Sequence, residues 1–455
     1  MNLFIRLIKP DIQEILYNKD WESLKNIISD LEPQDIGDLL KEVNTSECIL
    51  LFRLLPTEIQ YKVFSELDSN MQEYILKNIT DKHAKSIITQ LHPDDRTRLF
   101  EDLPSNLTRK LLGLLSPSDR KEALQLLGYP KDSVGRLMTP DYVAVKSHWT
   151  VEKAIKHIRK WGKDAETINV IYVIDDEWHL LDEIPIRRLI LAEPDQIIES
   201  LMDHHFISID ANSDQEEAIK LIQKYNLIAL PVTDKNNHLL GIVTVDDIID
   251  VLNEEQTEDF AKFSGVEMET IGYDFITNIK DAPLIKIFRS RITWLLVLLI
   301  MDFITGGIIQ SFEKMIAKYV VLVTFLPVLV DTAGNAGSQS AVLVIRAFAV
   351  GTIDIKDWLY LLAREFIVSL GLGVAMGFGI SIMGIVRGKS LIIAQVVVIA
   401  MIVNVVIGSI IGIVLPFIFL KLKKDPAGAS TPLITTLSDI IGTGVYLIIA
   451  KVLLR

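Results

Sequence analysis

Two stretches near the end of the chain put oxygen-bearing side chains where a lipid-facing helix has no use for them. Thr435, Thr436, Asp439, Gly442 and Thr443 fall at helical spacing on one face, and so do Asp331, Gly334, Asn335, Ser338 and Gln339. Gly334 and Gly337 let another backbone approach closely or let the helix unwind. A carboxylate at membrane depth costs ~3 kcal/mol on insertion scales and persists mainly where it has a task. Oxygen donors without His or Cys select a hard cation. A single carboxylate among hydroxyls and amides suits an ion that keeps much of its water, as Mg2+ does. The competing reading is that Asp439 and Asn335 merely hydrogen-bond neighbouring helices. Asp302 has few polar neighbours in sequence, and a packing role fits it as well as a pore role.

A third cluster precedes these. Asp246, Asp247, Asp250, Glu254, Glu255, Glu258 and Asp259 are seven carboxylates in fourteen residues with no Lys or Arg among them. Such charges repel along a helix, and divalent cations relieve them; otherwise the segment is a solvated acidic helix. Other candidates fail on spacing. Around Gly371, Gly373, Gly377 and Gly379, Met376 stands where a dinucleotide loop needs its third glycine, so Gly373 and Gly377 read as a helix-packing pair. Met383 likewise rules out a phosphate loop ending at Gly388-Lys389-Ser390. His204-His205 has no companion at metal-ligand spacing and reads as an ordinary loop pair. Cys48, the only cysteine, excludes an intrachain disulfide and a Cys-based metal site.

The elements that must hold these residues follow from how charge is distributed over 455 residues. From Asp281 onward there are 9 acids and 15 bases, which leaves 50 acids and 31 bases before it, net −19. That acidity excludes nucleic acid as a main partner. Five later segments are long and apolar enough for a bilayer needing ~20 residues per helix. They lie near Ile292 to Phe312, Tyr319 to Val350, Trp358 to Val386, Leu391 to Leu420 and Pro432 to Leu454, with Pro327 and Pro416 as break points. Placing the N-terminal part in the cytoplasm of a plasma (inner) membrane protein puts nine Lys or Arg inside against six outside, with the C-terminus outside. Arg6, Lys9 and Pro10 interrupt any apolar run at the start, so no cleavable signal peptide is expected.

Two repeats organise the acidic part. Leu31, Val43, Leu55, Leu67, Ile79, Leu91, Leu103 and Leu115 recur every twelve residues, often before Pro or a small polar residue, which predicts short helices stacked into a right-handed solenoid over about residues 10 to 127. Glu58, Glu66, Asp94, Asp95, Glu101 and Asp102 lie on its exposed ridge. Next, EKAIKHIRK from Glu152 returns 64 residues later as EEAIKLIQK from Glu216, each copy leading into an apolar strand. This tandem βαββα pattern, with LMTP at Leu137 to Pro140 and GIVTVDDI at Gly241 to Ile248, resembles paired CBS domains. Such pairs commonly bind adenine nucleotides through a Thr and an Asp three residues on. Thr244 and Asp247 match, implying ATP as a regulator; the first copy departs, with Asp182, Pro185 and Arg188 at the equivalent Gly, Thr and Asp positions.

Taken together, the parts resemble the MgtE family of magnesium channels and transporters over essentially the whole chain. The strongest stretches are LPVLVDTAGNAGSQSAVLVIRAFA from Leu326 and DPAGASTPLITTLSDIIGTGVYLIIA from Asp425. The expected fold is a multidomain membrane protein: an all-α superhelical N-domain at 1–130, an α/β CBS pair at 131–250, an acidic connecting helix at 251–285, and an all-α five-helix transmembrane domain at 286–455. The resemblance implies no enzyme but a homodimeric Mg2+ importer, its pore lined by second and fifth spans with Asp439, Asn335, Ser338, Thr435 and Thr436. It also implies closure by cytosolic Mg2+ at Asp94 or Asp95 and Glu58, at Asp214 and Glu216, and at Asp247, Asp250, Glu255, Glu258 and Asp259. Asn226 stands where relatives can carry an acidic ligand. Two alternatives stay open: a broader importer of Mn2+, Co2+ and Ni2+, and a sensor of Mg2+ or nucleotide that does not conduct.

Overall fold

The residue that recurs every twelve positions caps a helix end at six of its eight occurrences and lies one position further at Leu31 and Leu67. In the computed structural model, which describes residues 20–272, 282–388 and 390–454 together with 8, 10–12, 14, 15, 17, 18 and 279, nine short helices run from α1 (Trp21–Ser29) through α2 (Pro33–Glu42), α3 (Thr45–Leu54), α4 (Thr57–Ser65), α5 (Ser69–Asn78), α6 (Asp81–Gln90), α7 (Pro93–Asp102) and α8 (Ser105–Leu114) to α9 (Pro117–Leu126). Val43, Leu55, Ile79, Leu91, Leu103 and Leu115 occupy extended cap positions between them. The residues after these breaks restart the helix. Asn44, Asp68, Thr80 and Ser116 accept a backbone N–H of the new first turn, and Pro33, Pro93 and Pro117 enter where an N–H has no intrahelical partner. A second twelve-residue register builds the core: Ile28, Leu40, Phe52, Phe64, Leu76, Ile88 and Phe100 are all buried.

Two copies of one small sheet follow. β1 (Ala144–Lys146) pairs in parallel with β2 (Val170–Ile174), which pairs antiparallel with β3 (Leu180–Pro185), and α10 (Val151–Trp161) connects the first two; α11 (Ile186–Ile190) follows β3. The second copy repeats this with β4 (Ile209–Asp210), α12 (Gln215–Tyr225), β5 (Ala229–Thr233), β6 (Leu239–Thr244) and then α13 (Val245–Phe263). The copies lock together at matching positions. Thr139 and Ile242 exchange both backbone hydrogen bonds at 2.9 Å. Gly241 is required there because a Cβ would lie 2.7 Å from the Thr139 carbonyl oxygen. The His179 and His238 rings stack at 4.4 Å, each held through Nδ1 by its own turn's Asp175 or Asp234.

The chain divides into two units at Asn253 and Glu254, so α13 begins in one and ends in the other. Residues 273–278, 280 and 281 of the expected connecting segment, and residues 1–7 and 9 of the start, lie outside the described residues. Five helices of the second unit are long and apolar enough to cross a membrane: α14 (Leu284–Ser311), α15 (Leu326–Ala349), α16 (Trp358–Gly388), α17 (Leu391–Lys421) and α18 (Thr431–Leu453). The first begins eight residues before the expected Ile292. Pro327 starts α15 after a short 3-10 turn, whereas Pro416 lies inside α17.

The second and fourth spans meet backbone to backbone. A Cβ on Gly408 would lie 2.1 Å from the Ala333 carbonyl oxygen, and one on Gly412 would lie 2.0 Å from that of Gly337. Carbonyl backbone cannot yield as a flexible side chain would. Gly408→Ala is therefore expected to destabilise the bundle by about 3 kcal/mol or more, read as loss of monodisperse protein in detergent chromatography. Gly371→Ala, whose added Cβ meets nothing within 4 Å, should leave the profile unchanged. The expected pair Gly373 and Gly377 does pack as the spacing suggested, against Ile402 and Val398 of α17.

Candidate functional site

Asp439 sits half-buried on α18, and the carboxylates that bear on it electrostatically are Asp302 of α14 and Asp331 of α15. Three spans thus contribute acids to one region, including Asp302, whose role the spacing left open. Asp331 is exposed and accepts a hydrogen bond from Asn335 Nδ2 at 3.2 Å. Asn335 and Gln339 are exposed too, so a polar stripe of α15 is left uncovered. Thr435 donates to the Pro432 carbonyl at 3.0 Å and lies against Gly334, where a Cβ would come within 3.0 Å of its methyl. The polar face of α18 is split: Thr435 and Asp439 are half-buried, while Thr436 and Thr443 are packed inside the bundle. Ser338 Oγ is buried and has no hydrogen-bond partner.

Two further polar residues of the spans escaped the sequence reading. Asn404 is fully buried on α17 and donates from Nδ2 to the Gly442 carbonyl at 3.2 Å, close to Asp439 in sequence. Ser340 donates to Glu365 Oε1 of α16 at 2.6 Å. The signal was present in both cases, an amide in the most apolar span and a carboxylate in the third.

In the first unit, the acids from three structural pieces crowd together. Asp94 and Asp95 occupy the first turn of α7. Asp247, in the first turn of α13, accepts a hydrogen bond from Thr244 Oγ1 at 2.6 Å. Burial, then each other's charge, holds Asp94 well above the ordinary carboxylate range; burial and Asp246 push Asp247 up to about 7, and burial likewise raises Asp95. Asp94 Oδ1 is buried without a hydrogen-bond partner. The sequence reading missed Glu166, which bears on all three of these acids. Its carboxylate lies 2.8 Å from His92 Nδ1, a contact that holds the imidazolium up to about 9. Glu166 owes its place to five extra residues: Gly162 to Asn169 joins α10 to β2, where only Asn226 to Ile228 joins α12 to β5. That is why α10 and α12 are 64 residues apart, whereas β2 and β5, and likewise β3 and β6, are 59 apart.

The other expected ligands lie in different settings. Asp250 faces Arg98 at 3.7 Å on the surface. Glu58 is exposed in the first turn of α4. Asp214 caps α12 by accepting the Glu216 N–H at 2.9 Å, and Glu216 pairs with Lys220 at 3.3 Å. Asn226 has a conformational reason to be Asn: it ends α12 at φ 53° and ψ 46°, a left-handed position that Asn tolerates. In the second unit Glu255 and Asp259 are half-buried, and Glu258 pairs at 2.5 Å with Lys262, which also reaches Asp425 at 2.8 Å. Those two carboxylates hold the Lys262 ammonium above its ordinary pKa.

Among the described residues no three carboxylate, imidazole or thiol groups converge as a metal cage. The donors instead suit a hard cation that retains water and meets carboxylates singly or in pairs. For a nucleotide the Thr244 and Asp247 pair is poorly placed, since the two bond each other amid carboxylates that would repel phosphate.

Comparison with known proteins covers each of these parts. Residues 31–132 match the model of the MgtE intracellular N domain, residues 134–195 and 198–254 that of the CBS domain, and residues 326–449 that of MgtE, a divalent cation transporter. The magnesium transporter MgtE of Thermus thermophilus is 33% identical over 98% of both chains, and that of Bacillus subtilis is 34% identical over 94% of this chain and 93% of its own. The crystal structure of the cytosolic domain of the Mg2+ channel MgtE in complex with ATP, 33% identical, superposes with a TM-score of 0.52 over 53% of this chain and 99% of that one. Matched over nearly its full length by relatives 33% and 34% identical, this chain belongs to the MgtE family.

Proposed function

We propose that this chain imports Mg2+ down its electrochemical gradient as a homodimeric channel in the plasma membrane, with the acidic N-terminal part in the cytoplasm and the C-terminus outside. The observation that carries the reading is the uncovered stripe Asp331, Asn335 and Gln339 on α15 beside half-buried Asp439. A polar stripe left open at membrane depth is costly in lipid and favourable against water. A second protomer offering the same stripe would enclose a wet path lined by Asn335, Ser338 and Thr435, with Asp439 as the anion that concentrates the dication, whereas Thr436 is packed inside the bundle and would not line it. The relatives named for magnesium transport support Mg2+ as the cargo. Because no protein cage to replace the ion's water forms among the described residues, selection would rest on hydration. That feature favours a second reading, in which Mn2+, Co2+ and Ni2+ also pass.

For regulation, Asp94, Asp95, Asp247 and Asp250 in the first unit, and Glu255, Glu258 and Asp259 in the second, would hold cytosolic Mg2+ when it is plentiful and favour closure. Glu58, Asp214 and Glu216 would be weaker participants. The buried, mutually repelling carboxylates around Asp94 support this, since they are the groups a dication relieves most. ATP is the further regulator we assign, supported by the ATP complex of the related cytosolic domain. The divisions we propose are 1–130, 131–250, 251–285 and 286–455. The test is flux of Mg2+, and of Mn2+, Co2+ and Ni2+ in parallel, into sealed proteoliposomes at low and high internal Mg2+. Mg2+ entry that falls at high internal Mg2+ is expected; no entry at either concentration would reduce the protein to a sensor.

A further inference from the structure

Where α13 ends, the chain makes a close junction with the start of the first span. Gly265 adopts φ 74°, its N–H donates to the Lys262 carbonyl at 3.0 Å, and the Val266 N–H donates to the Ala261 carbonyl at 2.9 Å. This left-handed ending satisfies the last carbonyls of the helix and leaves room for its neighbours. A Cβ on Gly265 would lie 2.7 Å from Trp294 Cδ1 and 3.3 Å from Pro432 Cγ. The Glu267 N–H then donates to the Ser290 carbonyl at 2.9 Å, which ties the segment to α14.

Beside this junction lies a cavity of about 400 Å3, a volume within the range of small-ligand sites. Phe260 and Val266 form one side, Ile287 and Leu295 of α14 another, and Pro432 in the first turn of α18 a third. Most of the lining is apolar, and Ser290 satisfies its hydroxyl on the Ile287 carbonyl at 3.0 Å. Trp294 and Arg291 differ. Trp294 Nε1, a group that can only donate, is buried with no hydrogen-bond partner. Arg291 lines the same cavity and, like Arg289, is exposed and in no ion pair among the described residues. The opening turns of α14, Leu284 to Arg291, hold three bases and no acid, and Leu284, Ile285 and Phe288 on those turns are exposed as well.

A surface both basic and apolar, at the point where a membrane span begins, complements an anionic lipid; a water-soluble anion has no use for the apolar part. Trp294 lies one turn deeper than Arg291, about 4.5 Å along the helix axis. That order matches a phospholipid, whose phosphate lies nearer to water than its ester carbonyls, and a guanidinium is suited to phosphate oxygens.

We propose that this cavity binds one anionic phospholipid per protomer, with Arg289 and Arg291 on the phosphate, the Trp294 N–H on an ester carbonyl, and an acyl chain against Phe260, Ile287 and Leu295. The inference outlives any failure of the transport reading, because binding is measured without flux. The experiment is native mass spectrometry of the full-length protein, delipidated in detergent and titrated with phosphatidylglycerol, phosphatidylcholine or glycerol 3-phosphate. Phosphatidylglycerol is expected to saturate at one tightly held molecule per protomer, phosphatidylcholine to bind at least about fivefold more weakly, and glycerol 3-phosphate not to be retained. Arg289→Gln with Arg291→Gln should weaken phosphatidylglycerol by at least about tenfold, and Trp294→Phe by less. Ser264→Trp, which places an indole in the cavity lining, should weaken both lipids. Arg387→Gln, at the far end of α16, removes an exposed base elsewhere and should change neither. Equal affinity for the two lipids, retention of glycerol 3-phosphate as tight as phosphatidylglycerol, uptake that never saturates, or unchanged affinity in arginine variants that stay monodisperse would overturn the proposal.

Discussion

Replacing Asp439 with Asn is expected to lower Mg2+ uptake into proteoliposomes by at least ~100-fold, a loss of about 3 kcal/mol, while leaving the detergent-solubilised protein folded. The expectation follows from charge and not from shape. At an effective dielectric of about 20, a carboxylate one water away, about 5 Å, attracts a dication by roughly 7 kcal/mol. Asn keeps the volume and the hydrogen-bonding capacity but removes that attraction. Asp302 and Asp331 also bear on this region, and their residual field is why the loss is set below the full Coulomb figure. Asp439→Glu, which preserves charge, should recover a measurable part of the flux. Unchanged uptake in a folded Asp439→Asn protein would argue for a sensor whose polar spans do not conduct.

The second large effect concerns closure. With Asp247→Asn, Glu255→Gln, Glu258→Gln and Asp259→Asn combined, flux at high internal Mg2+ should stay within about twofold of flux at low internal Mg2+. The unsubstituted protein should fall by more than about tenfold between the same conditions. Each Mg2+ site that exists in only one state contributes RT ln(1 + [L]/Kd), so several weak sites together can swing a two-state equilibrium. Single substitutions should shift the midpoint by smaller amounts. They should also differ among themselves: Asp247 lies in the crowded cluster with Asp94, whereas Glu258 is already neutralised by Lys262 at 2.5 Å. Normal closure in the fourfold variant would refute the acidic-helix mechanism.

The two repeats were legible because each follows a period the chain must obey. Twelve-residue spacing set the solenoid, and the sequence showed where each helix stops, although it did not show that the recurring leucine is the stopping residue. The five spans were legible because a bilayer demands length and hydropathy, and three of the five, α16, α17 and α18, begin within about one residue of where the apolar runs begin, as expected when boundaries are set by composition. The first span starts earlier because its opening turns, with Lys286, Arg289 and Arg291, are helical but charged. The Gly408 and Gly412 crossing went unread because small residues in a uniformly apolar span look alike until a partner backbone is known.

What the sequence determined by itself is the inventory: which residue types exist, how they repeat, and which carboxylates stand at membrane depth. Periodicity and charge are local, so they survive without knowledge of neighbours. Tertiary structure decided who faces whom. It brought Glu166 to His92, Asp94 and Asp247 through a five-residue insertion, set Asp302 and Asp331 to act on Asp439 from two other helices, and turned Pro185 to Arg188 from a broken motif into the rim of a cavity. Those relations depend on distances across the fold between residues far apart in the chain, and no spacing along one strand or helix encodes them.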